Sequence, residues 1–531
     1  MNPSMLLADS NELTPLMGFG LMVTLGAFML LIALIVKKRL VRTARDFVAS
    51  GQRIGLAFGT GSLISVWTWA MAVMMSSAMT YRWGLSGLFW FVVPNGLAIM
   101  LVIPFARYLR SRMPRGYTIS KFVDHRFQSG VSSVIVTLTM VFGILLEIMI
   151  NLKGTSVVMS TVFNIDWRTA TFIAMVIILV YSFFGGLWTS VMTGTFNTLM
   201  ITAVAAAIVS MVYAQVGGAG AVFDAVAQVA ASAGAGLAPD MEWSGKDLLG
   251  VTRWDTAAEF GITLAFGLFA ATVADQIFWQ KVWSIKSRHV GRSFFLAGLL
   301  FYPIPITLGL LGLIGIGMQV PLAQIGGDLA AIGPYLVSHI GLPTAIVLLY
   351  VLVILAACYS TIDGGAAAMA SVVTVDIVKK ARPAASERTL FVFAKASILV
   401  SGIVAAAIIL SGIDFTSLVL TTYALKTAIL IPLILAIMWP RTNALGFVGG
   451  IVLAILIGMP VRQIHGELAG TLSILAISAS VVWLAAILKP QRFDMRSLLN
   501  IGDTFAEAQG PAAAGAGTAR AVPAQSGGTS A

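Results

Sequence analysis

Charge is what this sequence has least of. Asp, Glu, Lys and Arg make up 10% of its 531 residues, where a soluble protein carries about 25%. A water-facing surface cannot be assembled from so few charges, which excludes a soluble enzyme. The 58% apolar content excludes a disordered chain. Cysteine is nearly absent too. Cys358 alone rules out a disulfide framework and a cysteine-built metal site, and its apolar neighbours make it a small core residue. The four histidines, His125, His289, His339 and His465, are scattered in or near loops, so they group into no metal centre. A nucleotide-driven pump is excluded because the Gly-Lys pair, Gly245-Lys246, runs into Asp247 and no phosphate loop surrounds it. No repeated filter segment of the channel type is present. Residues 1–14 hold no Lys or Arg, so a cleavable signal is not expected.

What remains is a set of long apolar runs, each near the roughly 20 residues that a helix needs to cross the hydrocarbon core. They predict an all-α integral membrane protein of thirteen spans, at 15–36, 54–80, 84–106, 132–152, 168–186, 190–214, 257–280, 294–318, 344–378, 391–411, 415–438, 443–460 and 469–488. The runs 54–80 and 344–378 exceed a straight crossing, which predicts tilt or a broken helix. Lys and Arg are strongly asymmetric. Six of them (Arg82, Lys153, Arg168, Lys246, Arg253, Arg462) fall on one side and Lys426 falls inside a span, leaving 26 of 33 on the other. The net charge of +11 is therefore orientation rather than a nucleic-acid surface. It puts the N-terminus outside and the C-terminus in the cytoplasm, as in a multi-pass protein of a cell's inner membrane. Residues 215–256 read as an external loop with a short helix near AVFDAVAQVAAS, and 503–531 as a disordered tail. Nothing points to an obligatory protein partner.

Against this background the ionisable groups inside spans stand out: Glu147, Asp275, Asp363 and Lys426. Such groups line a cavity or pair with each other, and the pairing expected is Asp363 or Asp275 with Lys426. Two spans also carry dense small and hydroxyl residues. Gly59-Thr60-Gly61-Ser62-Leu63-Ile64-Ser65-Val66-Trp67-Thr68-Trp69 weakens its helix, and Ala357, Ser360 and Thr361 recur at spacings of three and four, on one face. Sodium wants several hard oxygens, and carbonyls of an unwound turn with two hydroxyls supply them. These features predict a carrier rather than a scaffold.

Several segments resemble the sodium:solute symporter family: RDFVASGQRIG (45–55), YRWGLSG (81–87), YSFFGGLWT (181–189), FWQKVWSIKS (278–287) and AACYSTIDGGAAAMASVVTVDIVKK (356–380). Thr189, Lys281 and the Ile362-Asp363-Gly364-Gly365 stretch depart from the family's commoner residues. Ser65 to Ala70 and Asp275 to Gln280 are similar to the urea active transporter branch of that family. The resemblance implies a LeuT-like core of two inverted five-helix repeats, at 54–214 and 257–438. Residues 1–53 hold one peripheral span, and 439–502 hold two more. It further implies a sodium site at Ser65, Thr68, Ala357, Ser360 and Thr361. Between the second and seventh spans a solute pocket follows, with Trp67 and Trp69 as flat walls and Thr272, Asp275 and Gln276 as polar contacts. The implied function is sodium-coupled import of a small polar solute, urea or urea-like, by alternating access. Alternatives are proton coupling through Asp275 for another small solute (a short carboxylate, amino acid or polyamine), or an uncoupled facilitator. Asp363 is assigned either a second cation or the neutralisation of Lys426.

Overall fold

The structure is a computed structural model that describes residues 13–232, 234–236, 242–413 and 415–505. The predicted N-terminal residues 1–12 and the tail from 506 lie outside that set. The helices follow one another: α1 (Pro15–Leu40), the bent pair α2 (Leu56–Trp67) and α3 (Ala72–Trp83), α4 (Leu85–Arg112), α5 (Gly130–Phe163), α6 (Trp167–Gln215) and α7 (Trp254–Val273). Then come the shorter α8 (Gln276–Ser284), α9 (Ser287–Gly317), α10 (Thr344–Ala381), α11 (Glu387–Ile409), α12 (Phe415–Met438), α13 (Ala444–His465) and α14 (Glu467–Leu488). Side-chain caps mark several starts: Ser129 accepts from Ser132, Asp166 from Thr169 and Asn443 from Gly446.

Eleven described helices are long and apolar enough to cross a membrane, and the bent pair α2 and α3 adds a twelfth. The thirteenth crossing is inside α6. At about 1.5 Å per residue its 49 residues would be far longer than a bilayer core is thick. The chain reverses at Gly186, where φ is 54° and ψ is −144°. Ile177 packs against Gly26 of α1 and Phe196 lies 5.1 Å from Phe28, so residues on opposite sides of the turn sit at one depth. The two limbs therefore run side by side in opposite directions, so the described residues agree with a count of about thirteen. Lipid-facing surface is apolar, with Leu31, Leu456 and Leu488 more than half exposed. In water such a surface would aggregate.

All the arginine- and lysine-rich connections gather at one end of the bundle, and specific bonds tie them together. Ile54 pairs as a parallel bridge with Ile285. Lys380 bonds Asp124 at 2.7 Å and Arg45 bonds Asp503 at 3.2 Å. The buried guanidinium of Arg126 donates to the carbonyls of Ala436, Trp439, Pro440 and Thr442, which closes the C-terminal end of α12. The first residues of the expected disordered tail are part of this layer: Tyr117 donates to Asp503 at 2.7 Å, and its ring meets Phe505. That segment is docked because an acid and an aromatic find partners there. At the opposite end Leu85 donates to the Leu248 carbonyl, and the expected loop helix is Gly218–Ala231.

A Cβ at Gly186 would stand 2.4 Å from the Phe47 carbonyl oxygen, in a backbone region that L residues avoid. Gly186→Ala should lower stability by about 1–3 kcal/mol, read as thermal unfolding in detergent. Gly20→Ala, where nothing lies within 4 Å, should leave it unchanged.

Candidate substrate and ion site

Two spans are interrupted at the middle of the molecule. α2 ends at Trp67, because the Thr68 hydroxyl bonds back to the Ile64 carbonyl at 2.8 Å and the Thr68 backbone leaves the helix with ψ 70°. The chain resumes as α3 at an angle of 66°. The freed Ala70 N–H donates to the Asn151 side chain of α5 at 2.9 Å. The second interruption divides the expected span 257–280. α7 ends at Val273, and Asp275 caps α8 by accepting from the Ile277 N–H at 2.7 Å. A charged cap explains why the helix restarts there.

Opposite the first break stand the two hydroxyls of α10. Ser360 Oγ lies 3.4 Å from the Ser65 carbonyl and 3.0 Å from that of Ala357, while Thr361 Oγ1 lies 3.2 Å from the Ala357 carbonyl. Four neutral oxygens from two helices thus share one buried spot, the donor type a hard monovalent cation takes. Thr68 belongs to the same turn.

Of the two expected partners of Lys426, Asp275 is the one that pairs with it and Asp363 is not. Lys426 donates to Glu147 and to Asp275, and all three side chains are buried. Asp363 does not meet Lys426. It accepts from Ser182 at 2.8 Å and Thr193 at 3.4 Å, one from each limb of α6. The pairing of Asp363 with Lys426 is overturned because α10 turns Asp363 toward α6, while α12 faces α5 and the α7–α8 break. Asp363 has a cation in reach nonetheless, Lys281. Hydropathy places Lys281 in a basic loop, but the structure buries it completely on α8, where its ammonium has no hydrogen-bond partner and feels the field of Asp363. Unpaired buried hydroxyls of Ser65, Thr189 and Ser190 add to this polar interior.

Trp67 and Trp69 are buried with ring centroids 5.9 Å apart. Phe278 meets the first edge-on at 5.1 Å, and Tyr423, one turn from Lys426, meets the second at 6.2 Å. The aromatic cluster thus adjoins the charged triad. Two residues expected at the pocket point elsewhere. Gln276 is held by the Tyr117 carbonyl and the Ile119 N–H at 3.0 Å each, and Thr272 by the carbonyls of Ala98 and Phe269. The missed contributors are Asn151, Lys281, Ser182, Thr193, Phe278 and Tyr423. For Asn151 the signal was an amide four residues after Glu147 in an apolar run. For Lys281 it was the flanking FWQ and VW, which continue a buried helix.

Broken helices around a buried polar centre are the arrangement that secondary active transporters use for substrate and coupling ion. The model of the sodium:solute symporter family matches residues 47–453, and the chain belongs to that family. It is 23% identical to a urea-proton symporter, DUR3, of Oryza sativa subsp. japonica, over 91% of this chain and 72% of that one. It is also 23% identical to a probable urea active transporter of Schizosaccharomyces pombe, over 92% and 79%. The fold matches a Na+-coupled sialic acid symporter with a TM-score of 0.71 at 19% identity, covering 90% of this chain and 99% of that structure. The architecture is accordingly the LeuT-like 5+5 core with peripheral helices.

Removing one partner of a buried ion group strands the others. Lys426→Met should lower stability by about 3–5 kcal/mol, and adding Glu147→Gln and Asp275→Asn should restore most of it, both read as unfolding in detergent. A Lys426→Met protein as stable as wild type would contradict the triad.

Proposed function

We propose that this transporter imports urea, or a small polar solute like it, together with sodium by alternating access. The observation that carries the ion assignment is the contact between the Ser65 carbonyl and the Ser360 hydroxyl across α2 and α10. A cation at Ser65, Thr68, Ala357, Ser360 and Thr361 would clamp the break in α2 to α10 and favour the conformation that receives the solute. The solute would lie against Trp67 and Trp69, with Asp275 as hydrogen-bond acceptor, which suits a flat molecule rich in N–H groups. The printed names of the rice and fission-yeast relatives support urea as that solute. The basic end is the cytoplasmic face by the positive-inside rule, so the N-terminus lies outside and the C-terminus inside. The repeats are 54–214 and 257–438, and each opens with an interrupted helix, α2–α3 and α7–α8. At −100 mV each charge entering contributes about 2.3 kcal/mol toward accumulation.

A second reading, proton coupling, is favoured by one observation. Two carboxylates share one ammonium in the triad, so a proton on Glu147 or Asp275 neutralises it as well as a metal ion elsewhere does. The name of the rice relative agrees with this reading.

Uptake of radiolabelled urea into proteoliposomes separates the two. Under the sodium reading a sodium gradient drives accumulation, and Ser360→Ala with Thr361→Ala raises the half-saturating sodium about thirtyfold, as losing two oxygen contacts of about 1 kcal/mol each implies. Accumulation that ignores sodium and collapses with a protonophore selects the proton. Equilibration without accumulation under either gradient refutes coupling.

A further inference from the structure

At the basic end several of the structurally placed cations are answered. Arg45 has Asp503, Arg53 has Asp46, Lys380 has Asp124, and Arg126 has four carbonyls. Among the cations with no acid beside them, three meet at one groove. Arg107 of α4 and Arg288 and Arg292 at the start of α9 border one groove of about 760 Å³, whose lining contains no carboxylate. Arg107 lies across Gly291, where an added Cβ would stand 3.0 Å from its Cδ, so α4 and α9 meet closely enough to bring these guanidinium groups to one mouth. Arg288, exposed at that mouth, donates to His289 at 3.1 Å.

The groove does not stay polar. Phe295 and Leu299 follow Arg292 at intervals of three and four, so all three share one face of α9. Both apolar side chains are about half exposed, 51% and 49%. Leu296 and Ile103 form its inner wall. The surface therefore starts as a cluster of positive charge at the basic end and continues as an apolar stripe along a membrane-crossing helix. A small anion would use only the first part. A molecule with an anionic head joined to acyl chains uses both, and its charge complements the unanswered arginines.

We propose that this groove is a binding site for an anionic phospholipid of the leaflet at the basic end. The headgroup phosphate lies among Arg107, Arg288 and Arg292, and an acyl chain runs along Phe295 and Leu299. Each arginine near an anionic surface contributes about 1 kcal/mol, which is a change of about fivefold in affinity.

The test uses the full-length protein purified in detergent and titrated with phosphatidylglycerol or phosphatidylcholine of identical chains, with bound lipid counted by native mass spectrometry. Wild type should hold phosphatidylglycerol in clear preference. Arg107→Gln with Arg288→Gln and Arg292→Gln should weaken that binding about a hundredfold and leave the phosphatidylcholine adducts unchanged. If the triple variant does not survive size-exclusion chromatography, the single variants Arg107→Gln and Arg292→Gln carry the test, each with an expected loss of about fivefold. Equal binding of the two lipids by wild type, or unchanged phosphatidylglycerol affinity in the variants, overturns the site. Displacement of the lipid by millimolar inorganic phosphate overturns it as well, because it would make the groove a site for a free anion.

Discussion

Lys426 stands between Glu147 and Asp275 inside the bundle, and three chain segments depend on where that ammonium sits. Glu147 belongs to α5, Lys426 to α12, and Asp275 to the break between α7 and α8. Asp275 gives its other oxygen to the first turn of α8, so the pairing and the restart of the helix are one arrangement. One turn beyond Glu147, Asn151 donates to the Glu147 carbonyl and accepts from Ala70 at the break in α2. A single face of α5 thus holds both interrupted helices, the first through an amide and the second through an ion group. Unwound backbone at membrane depth persists only where protein satisfies it, and here Asn151 and Asp275 provide that satisfaction.

The interior charges have a definite sum. Glu147, Asp275 and Asp363 are answered by Lys426 and Lys281, so with all five ionised the centre carries one net negative charge. A buried uncompensated charge is unfavourable by several kcal/mol. One monovalent cation, bound at the neutral oxygens of Ser65, Ala357, Ser360 and Thr361 or carried as a proton on the triad, removes the imbalance. On the proposed reading this is why solute and ion travel together: the state that accepts the ion is the one in which the interior is electrically complete.

Much of the fold was legible because the bilayer imposes a simple rule on the sequence. Apolar runs of about 20 residues and the placement of Lys and Arg specify crossings and direction, and the gap between the runs 168–186 and 190–214 marked the two limbs hidden within α6. Rotation about each helix axis was not legible. Hydropathy gives depth without azimuth, so Asp363 and Lys426 looked equally available to each other, although Ser182 and Thr193 claim the first and Glu147 the second. The same limit misdirected Gln276, one residue from Asp275 and therefore about 100° around α8, toward the basic end. Lys281 was misread because it follows a break, where a basic residue ordinarily marks the interface.

The placement of Lys281 bears on how the two polar centres divide their work. The triad has direct ion pairs and lies beside Trp69 and Tyr423, on the side where a solute would rest. Asp363, three residues along α10 from Ser360, and Lys281 of α8 feel each other's field without a bond. A direct pair resists separation, whereas two facing charges kept apart leave lone pairs and protons that can take a passing partner. On the proposed orientation the second pair lies between the cation position and the cytoplasmic end. A sodium ion leaving Ser360 and Thr361 in that direction would meet Asp363 first. Lys281, already held there by burial, would then offset the carboxylate as the ion moves on, so that release does not leave a bare negative charge behind it.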